Sequence, residues 1–94
     1  MIQNFKSRPA RLIFDGANPG KGFPPDLVLA ARRRLAYLNR AEALTDLSFP
    51  ASNGLHALKG DRVGQWAISI NDQWRICFEW GPNGPEKVDI VDYH

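Results

Sequence analysis

Asp92, Tyr93 and His94 follow one another at the end of the sequence, and each can exchange a proton or hold a phosphate. Upstream stand His56, Lys59, Asp61, Arg62 and Arg75. Cutting RNA with protein groups alone needs three services. A base must take the 2′-hydroxyl proton, an acid must protonate the leaving 5′-oxygen, and cations must steady the phosphorane-like transition state. General acid–base help is worth about 10²–10⁴-fold, and one well-placed oxyanion donor about 10²–10³-fold. Imidazole is the side chain best suited to moving protons near neutral pH, so His56 and His94 are candidates for either task. Arg75 offers a guanidinium fork to phosphate, and Lys59 a point charge. Tyr93 has a hydroxyl proton to give and a ring on which a base can stack, while Asp92 can orient a histidine or accept a proton itself. The inventory fits metal-independent RNA cleavage, and no metal cage is evident in it.

Each of these residues also has a structural alternative. His56, between Leu55 and Ala57, fits a strand-edge histidine. Lys59-Gly60-Asp61-Arg62 fits a polar turn with Asp61 and Arg62 paired in solvent. Arg75, alternating with Trp74 and Ile76, needs a carboxylate, a ligand or solvent, and Asp89 or Glu79 would be the structural answer.

The elements that must position these groups fit within one domain, residues 1–94. A hydrophobic content of 44%, with five Phe, three Trp and two Tyr, suffices for a folded core. A net charge of +2 permits contact with phosphates without demanding it. The single Cys77 excludes an internal disulfide and a multi-cysteine zinc site, and reads as a small buried hydrophobe. No signal-peptide h-region and no membrane-length apolar run is present, so the expected location is the cytoplasm.

Met1 to Phe5 reads as a short first strand, and Arg8 to Asp15 as a brief helix with Pro9 in its first turn. The Ala17–Gly22 stretch is a loop without the spacing of a P-loop. Pro24 and Pro25 open a long helix from Asp26 to Ala41, with an apolar stripe of Leu27/Val28, Ala31, Leu35 and Leu38. Arg33, Tyr37 and Arg40 line a different side, which is either a solvated face or a basic, aromatic surface for RNA. Residues 42–53 form a linker with one helical turn near Leu44 to Leu47.

Beyond Gly54 the apolar period becomes two. Trp66, Ile68 and Ile70 share one side of a strand, Trp74, Ile76, Phe78 and Trp80 the next, and Val88 and Ile90 the last. A two-residue Asn71-Asp72 turn would mix apolar and polar faces. A three-residue loop, or a bulge of equal effect, instead pairs Ile68 with Ile76 and Trp66 with Phe78. The same reasoning at the next turn pairs Ile76 with Ile90 and Phe78 with Val88. One face becomes an apolar slab for the helices to cover. The other becomes a shallow, open polar floor carrying Arg75 and Tyr93, which lie diagonal to each other. Strict alternation puts Asp92 and His94 on the opposite side, unless the C-terminal residues curl over the edge.

Gly54-Leu55-His56-Ala57-Leu58-Lys59-Gly60-Asp61-Arg62, Gly64-Gln65-Trp66, Asn71-Asp72-Gln73-Trp74-Arg75-Ile76 and Val88-Asp89-Ile90-Val91-Asp92-Tyr93-His94 together resemble the HigB branch of the RelE/ParE toxin superfamily. The resemblance covers nearly the whole chain, with several motifs in order. It implies a small α+β fold of RelE type, an antiparallel C-terminal meander packed on one face by N-terminal helices. It also implies a ribosome-dependent mRNA interferase that cuts the codon exposed in the ribosomal A site, with no cofactor and no metal. The implied partners are a helix-turn-helix, HigA-like antitoxin, the ribosome and its mRNA, and operator DNA only through the antitoxin complex. By motif position the active residues are His56, Asp92, Tyr93 and His94, while Lys59, Arg75 and Arg62 contact phosphate. Competing readings are a ParE-like toxin directed at gyrase and an inactive module that binds antitoxin and operator. Neither needs the proton-transfer set.

Overall fold

The computed structural model describes residues 1–93. Ser7 starts helix α1 (Arg8–Phe14), its side chain accepting from the Ala10 N–H at 3.4 Å. Pro9 sits in the first turn, where no intrahelical donor is due. A 3-10 turn over Pro25–Leu27 leads into α2 (Val28–Arg40), which buries Ala31, Leu35 and Leu38 completely. That three-and-four spacing is the stripe expected of a helix laid on a sheet. Two further 3-10 turns, Leu44–Ser48 and Ala51–Asn53, occupy the linker, the first held by the Asp46 carboxylate accepting from the Glu42 and Ala43 N–H groups.

The sheet consists of β1 (His56–Ala57), β2 (Trp66–Ser69), β3 (Trp74–Gly81) and β4 (Gly84–Asp92), in that spatial order and antiparallel throughout. Together with the helices above it, this is the expected α+β arrangement. The first long hairpin has the expected register, Trp66 opposite Phe78 and Ile68 opposite Ile76. Its loop closes because the Asn71 side-chain oxygen accepts from the N–H groups of Gln73 and Trp74, a local turn that Asn is suited to make.

The second hairpin reaches its register by a different route. Gly81 pairs with Gly84, so the turn is only Pro82-Asn83, while Ile76 still faces Ile90 as expected. A bulge makes up the missing residue: Cys77 faces Asp89 and Glu79 faces Glu86, so Phe78 stands against both Lys87 and Val88. The expected one-to-one pairing of Phe78 with Val88 is corrected accordingly. Lys87 carries the bulge at φ 52°, and an ion pair with Glu79 at 3.3 Å holds its side chain.

The expected first strand is also corrected. Residues 1–5 run beside β4 but make one parallel bridge, Phe5 with Val88, rather than a strand. The bulge disturbs the regular spacing of partners there, and the Asn4 side chain accepts from the Lys87 N–H in place of a backbone carbonyl. Backbone bonds from Gln3 to Pro85, Lys6 to Val88 and Val88 to Asn4 complete the attachment.

The main core lies between sheet and helices, where Ile13, Leu35, Leu38, Ile68, Ile76, Phe78 and Val88 are fully buried. The other sheet face is not the open floor expected from its small residues. Leu58, arriving from β1, folds over Ala67 and Cys77, with Val91 packed alongside, and all but Val91 are buried. Small side chains on a sheet leave room that a neighbouring apolar group fills. No helix among the described residues is long and apolar enough to cross a membrane.

Candidate active site

The site is assembled on the face away from the helices. β1 pairs His56 with Ala67, which places the imidazole on the side of Ala67, Cys77 and Arg75. Arg75 faces Val91 across β3 and β4, and Tyr93 lies two residues further along. The result is a short row. The Tyr93 ring meets the His56 imidazole edge-on, with centroids 6.4 Å apart and planes at 76°. The Arg75 guanidinium carbon lies 5.6 Å from the centre of the same ring. A cation in that position is attracted by the ring quadrupole.

Arg75 is aimed by backbone. Its Nη1 donates to the Asn71 carbonyl, and a longer bond at 3.3 Å reaches the Trp74 carbonyl. Among the described residues neither Asp89 nor Glu79 forms an ion pair with it, Glu79 being taken by Lys87. Its Nε is buried without a hydrogen-bond partner among the described residues. A guanidinium satisfied on one side by neutral carbonyls, with no ion pair among the described residues, favours an arriving anion such as phosphate.

His56 is exposed, and its Nδ1 lies 2.9 Å from the Gly54 carbonyl oxygen. Arg62 donates from Nη1 to the Gln65 side chain at 3.1 Å, within the 3-10 turn region Gly60–Arg62 that joins β1 to β2. Asp61 forms no ion pair with it among the described residues. Lys59 precedes that turn and is exposed. Asp92 faces Trp74 at the end of β4, on the side that carries the core, and its Oδ2 accepts from Gln73 Nε2 at 3.2 Å. The register therefore separates Asp92 from the row of His56, Tyr93 and Arg75. His94 lies outside the described residues.

Cys77 reports on the charges around this floor. Burial pushes its thiol above the ordinary 9.0, while Arg62, Lys6 and Arg75 pull it down and Asp89 pushes it up. Arg62, from the turn before β2, and Arg75, on β3, thus both bear on the charge at this buried thiol. Lys6 joins them because the N-terminal segment runs along β4. No local pattern marks Lys6 as a neighbour of the site, whereas Asp89 stands opposite Cys77 as the expected pairing of Ile76 with Ile90 requires.

On the second side of α2, Tyr37 and Arg34 are committed to the linker. The Tyr37 hydroxyl donates to the Phe49 carbonyl and Arg34 Nη1 to the Asn53 side chain. Arg33 and Arg40 remain exposed. Among the described residues no group of three or more His, Cys, Asp or Glu is placed to share a metal ion.

Comparison with known proteins gives the site its context. A family model for the RelE-like toxin of the type II toxin–antitoxin system HigB matches residues 3–94. Endoribonuclease HigB of Proteus vulgaris is 32% identical over 94 residues, the full length of both chains. Toxin HigB-1 of Vibrio cholerae serotype O1 is 29% identical over 80 residues, covering 85% of this chain and 84% of the relative.

Proposed function

The chain belongs to the HigB family of RelE-like type II toxins, and from that premise we propose that it is an endoribonuclease that cuts mRNA on the ribosome. The observation that carries this reading is the row of His56, Tyr93 and Arg75, a proton-exchanging ring and a phosphate-binding fork joined by an aromatic platform.

In this reading a nucleobase stacks on Tyr93 and the scissile phosphate lies at Arg75. The 2′-oxygen attacks phosphorus as its proton passes to a base, and the bond to the 5′-oxygen breaks as that oxygen gains a proton. The products are a 2′,3′-cyclic phosphate and a 5′-hydroxyl. His56, Asp92, Tyr93 and His94 are the groups that exchange these protons. Arg75, Lys59 and Arg62 bear the charge that builds on the phosphoryl oxygens. Because Asp92 faces the other side of β4, its share in the reaction needs the chain end to turn over the sheet edge when RNA binds.

A type II toxin has an antitoxin partner, here a HigA-like helix-turn-helix protein, and operator DNA is met through that complex. The modest +2 charge makes the ribosome, which presents mRNA in its A site, the better route to substrate than tight binding of free RNA. The test is purified chain with a defined mRNA, free or bound to ribosomes, in the magnesium buffer that keeps ribosomes assembled. Cleavage of the ribosome-bound message with a cyclic phosphate end supports the reading. Cleavage of neither message, or ends that carry no cyclic phosphate, contradicts it.

A further inference from the structure

Asn53 is buried to 1% exposure, yet it stands three residues before the exposed His56. A side-chain amide offers an acceptor oxygen and two N–H donors, and burying it unmatched is costly. Here it is matched. Oδ1 accepts from Arg34 Nη1, while Nδ2 donates to the Leu47 carbonyl at 3.1 Å and the Phe49 carbonyl at 2.9 Å. Arginine can only donate and carbonyls only accept, so these partners fix which way the amide faces. The Tyr37 hydroxyl grips the same Phe49 carbonyl, so α2 holds the linker at two points.

The backbone just beyond Asn53 is constrained in turn. Gly54 closes the 3-10 turn Ala51–Asn53 at φ 62° and ψ 35°, donating its N–H to the Ala51 carbonyl at 3.0 Å. A Cβ there would lie 2.8 Å from the Ser69 hydroxyl oxygen. The geometry directs the Gly54 carbonyl at Nδ1 of His56, 2.9 Å away. A carbonyl accepts but cannot donate, so Nδ1 carries the hydrogen and the neutral ring presents Nε2 as its open nitrogen.

We propose that Asn53, held by Arg34, is a positioning residue that sets the tautomer and orientation of His56 for RNA cleavage. The proposal rests on the endoribonuclease reading for its consequence, but not for its geometry. A histidine side chain free in water favours the opposite tautomer, with hydrogen on Nε2, so the carbonyl contact has a spectroscopic signature. The path runs from α2 through Arg34 and Asn53 to the Gly54 carbonyl and ends at the imidazole. It ties the ring to the helical layer across the sheet.

The experiment reads the imidazole directly. Long-range ¹H–¹⁵N spectra of a His94→Gln chain, which leaves one histidine, report the tautomer of the neutral His56 ring. Asn53→Ala and Arg34→Gln are introduced in that background for spectra and in the natural chain for kinetics on ribosome-bound mRNA. The expected result is an Nδ1–H ring that shifts towards Nε2–H in both variants. It is accompanied by a fall of about 10–100-fold in kcat with KM little changed. Arg34→Gln alters a helix-surface residue and keeps the test open should Asn53→Ala unfold. An Nε2–H ring in the parent, or an unchanged tautomer in folded Arg34→Gln, overturns the proposal. A tautomer shift in a chain that never cuts RNA would sustain the positioning role and remove the endoribonuclease reading instead.

Discussion

Arg75 holds its guanidinium carbon 5.6 Å from the centre of the Tyr93 ring, although Arg75 lies on β3 and Tyr93 just beyond β4, diagonal rather than opposite. The fork is aimed from behind by the Asn71 and Trp74 carbonyls. Arg75→Lys keeps the charge but loses both the planar contact and the fork. Its expected effect is a fall of about 10²–10³-fold in kcat on ribosome-bound mRNA, close to that of Arg75→Ala. Lysine activity within threefold of the natural chain would show that a point charge is enough.

Tyr93 separates two contributions within one residue. Tyr93→Phe keeps the platform against His56 and Arg75 and removes only the hydroxyl, whereas Tyr93→Ala removes both. Stacking of a base is worth about 1–3 kcal/mol, so Tyr93→Ala is expected to raise KM about 5-fold or more above Tyr93→Phe. Steady-state kinetics of the two variants distinguish the roles. Equal KM values would contradict stacking on this ring.

Leu58 roofs Ala67 and Cys77 at 5% exposure. Leu58→Ala opens a cavity beneath the site and is expected to cost about 2–5 kcal/mol of stability. Urea titration of the purified variant measures it. A cost under about 0.5 kcal/mol would mean that the neighbouring loop collapses into the space or that the roof contributes little.

The Lys87 bulge sits at φ 52°, which side chains with a branched Cβ adopt poorly. Lys87→Gly relieves the conformation at the loss of an exposed pair with Glu79, worth about 0.2–1 kcal/mol. The expected net change is near zero, while Lys87→Val is expected to lower stability by about 1–2 kcal/mol. Matching denaturation midpoints for the two variants would count against the bulge geometry.

Burial raises the Cys77 thiol above 9.0, so between that value and its folded value the native state holds a proton that the unfolded chain has released. The unfolded state then binds fewer protons, and stability falls as pH rises through this window. Cys77→Ala removes this component. The stability difference between the natural chain and Cys77→Ala should shrink from pH 8 to pH 10, and a difference independent of pH would contradict the burial.

Much of this architecture is legible in the sequence because it follows from periodicity. The alternation of Trp66, Ile68 and Ile70 against Trp74, Ile76 and Phe78 leaves one acceptable register, and Asn71 supplies the turn. The diagonal of Arg75 and Tyr93 follows from the next register, which sets Ile76 opposite Ile90. The bulge does not, because Lys87 carries no mark of a left-handed residue. Nor does the partnership of His56 with Tyr93, since β1 is two residues long and has too little pattern to fix a register. Leu58 as a roof, Lys6 as a neighbour of Cys77 and the clasp of Arg34 on Asn53 all join residues far apart in sequence. Such contacts arise from tertiary packing, which local spacing does not encode.

The proposed role of the row of His56, Tyr93 and Arg75 is to cut translated mRNA. The most direct measurement maps RNA ends across the transcripts of cells in which the chain is induced, beside His56→Ala and Arg75→Ala versions shown to fold and to bind the cognate antitoxin. Growth arrest is expected with new 5′-hydroxyl ends phased to codons, present with the natural chain and at least about 10²-fold fewer with either variant. Arrest without such ends, or ends that persist undiminished in both variants, would contradict that role.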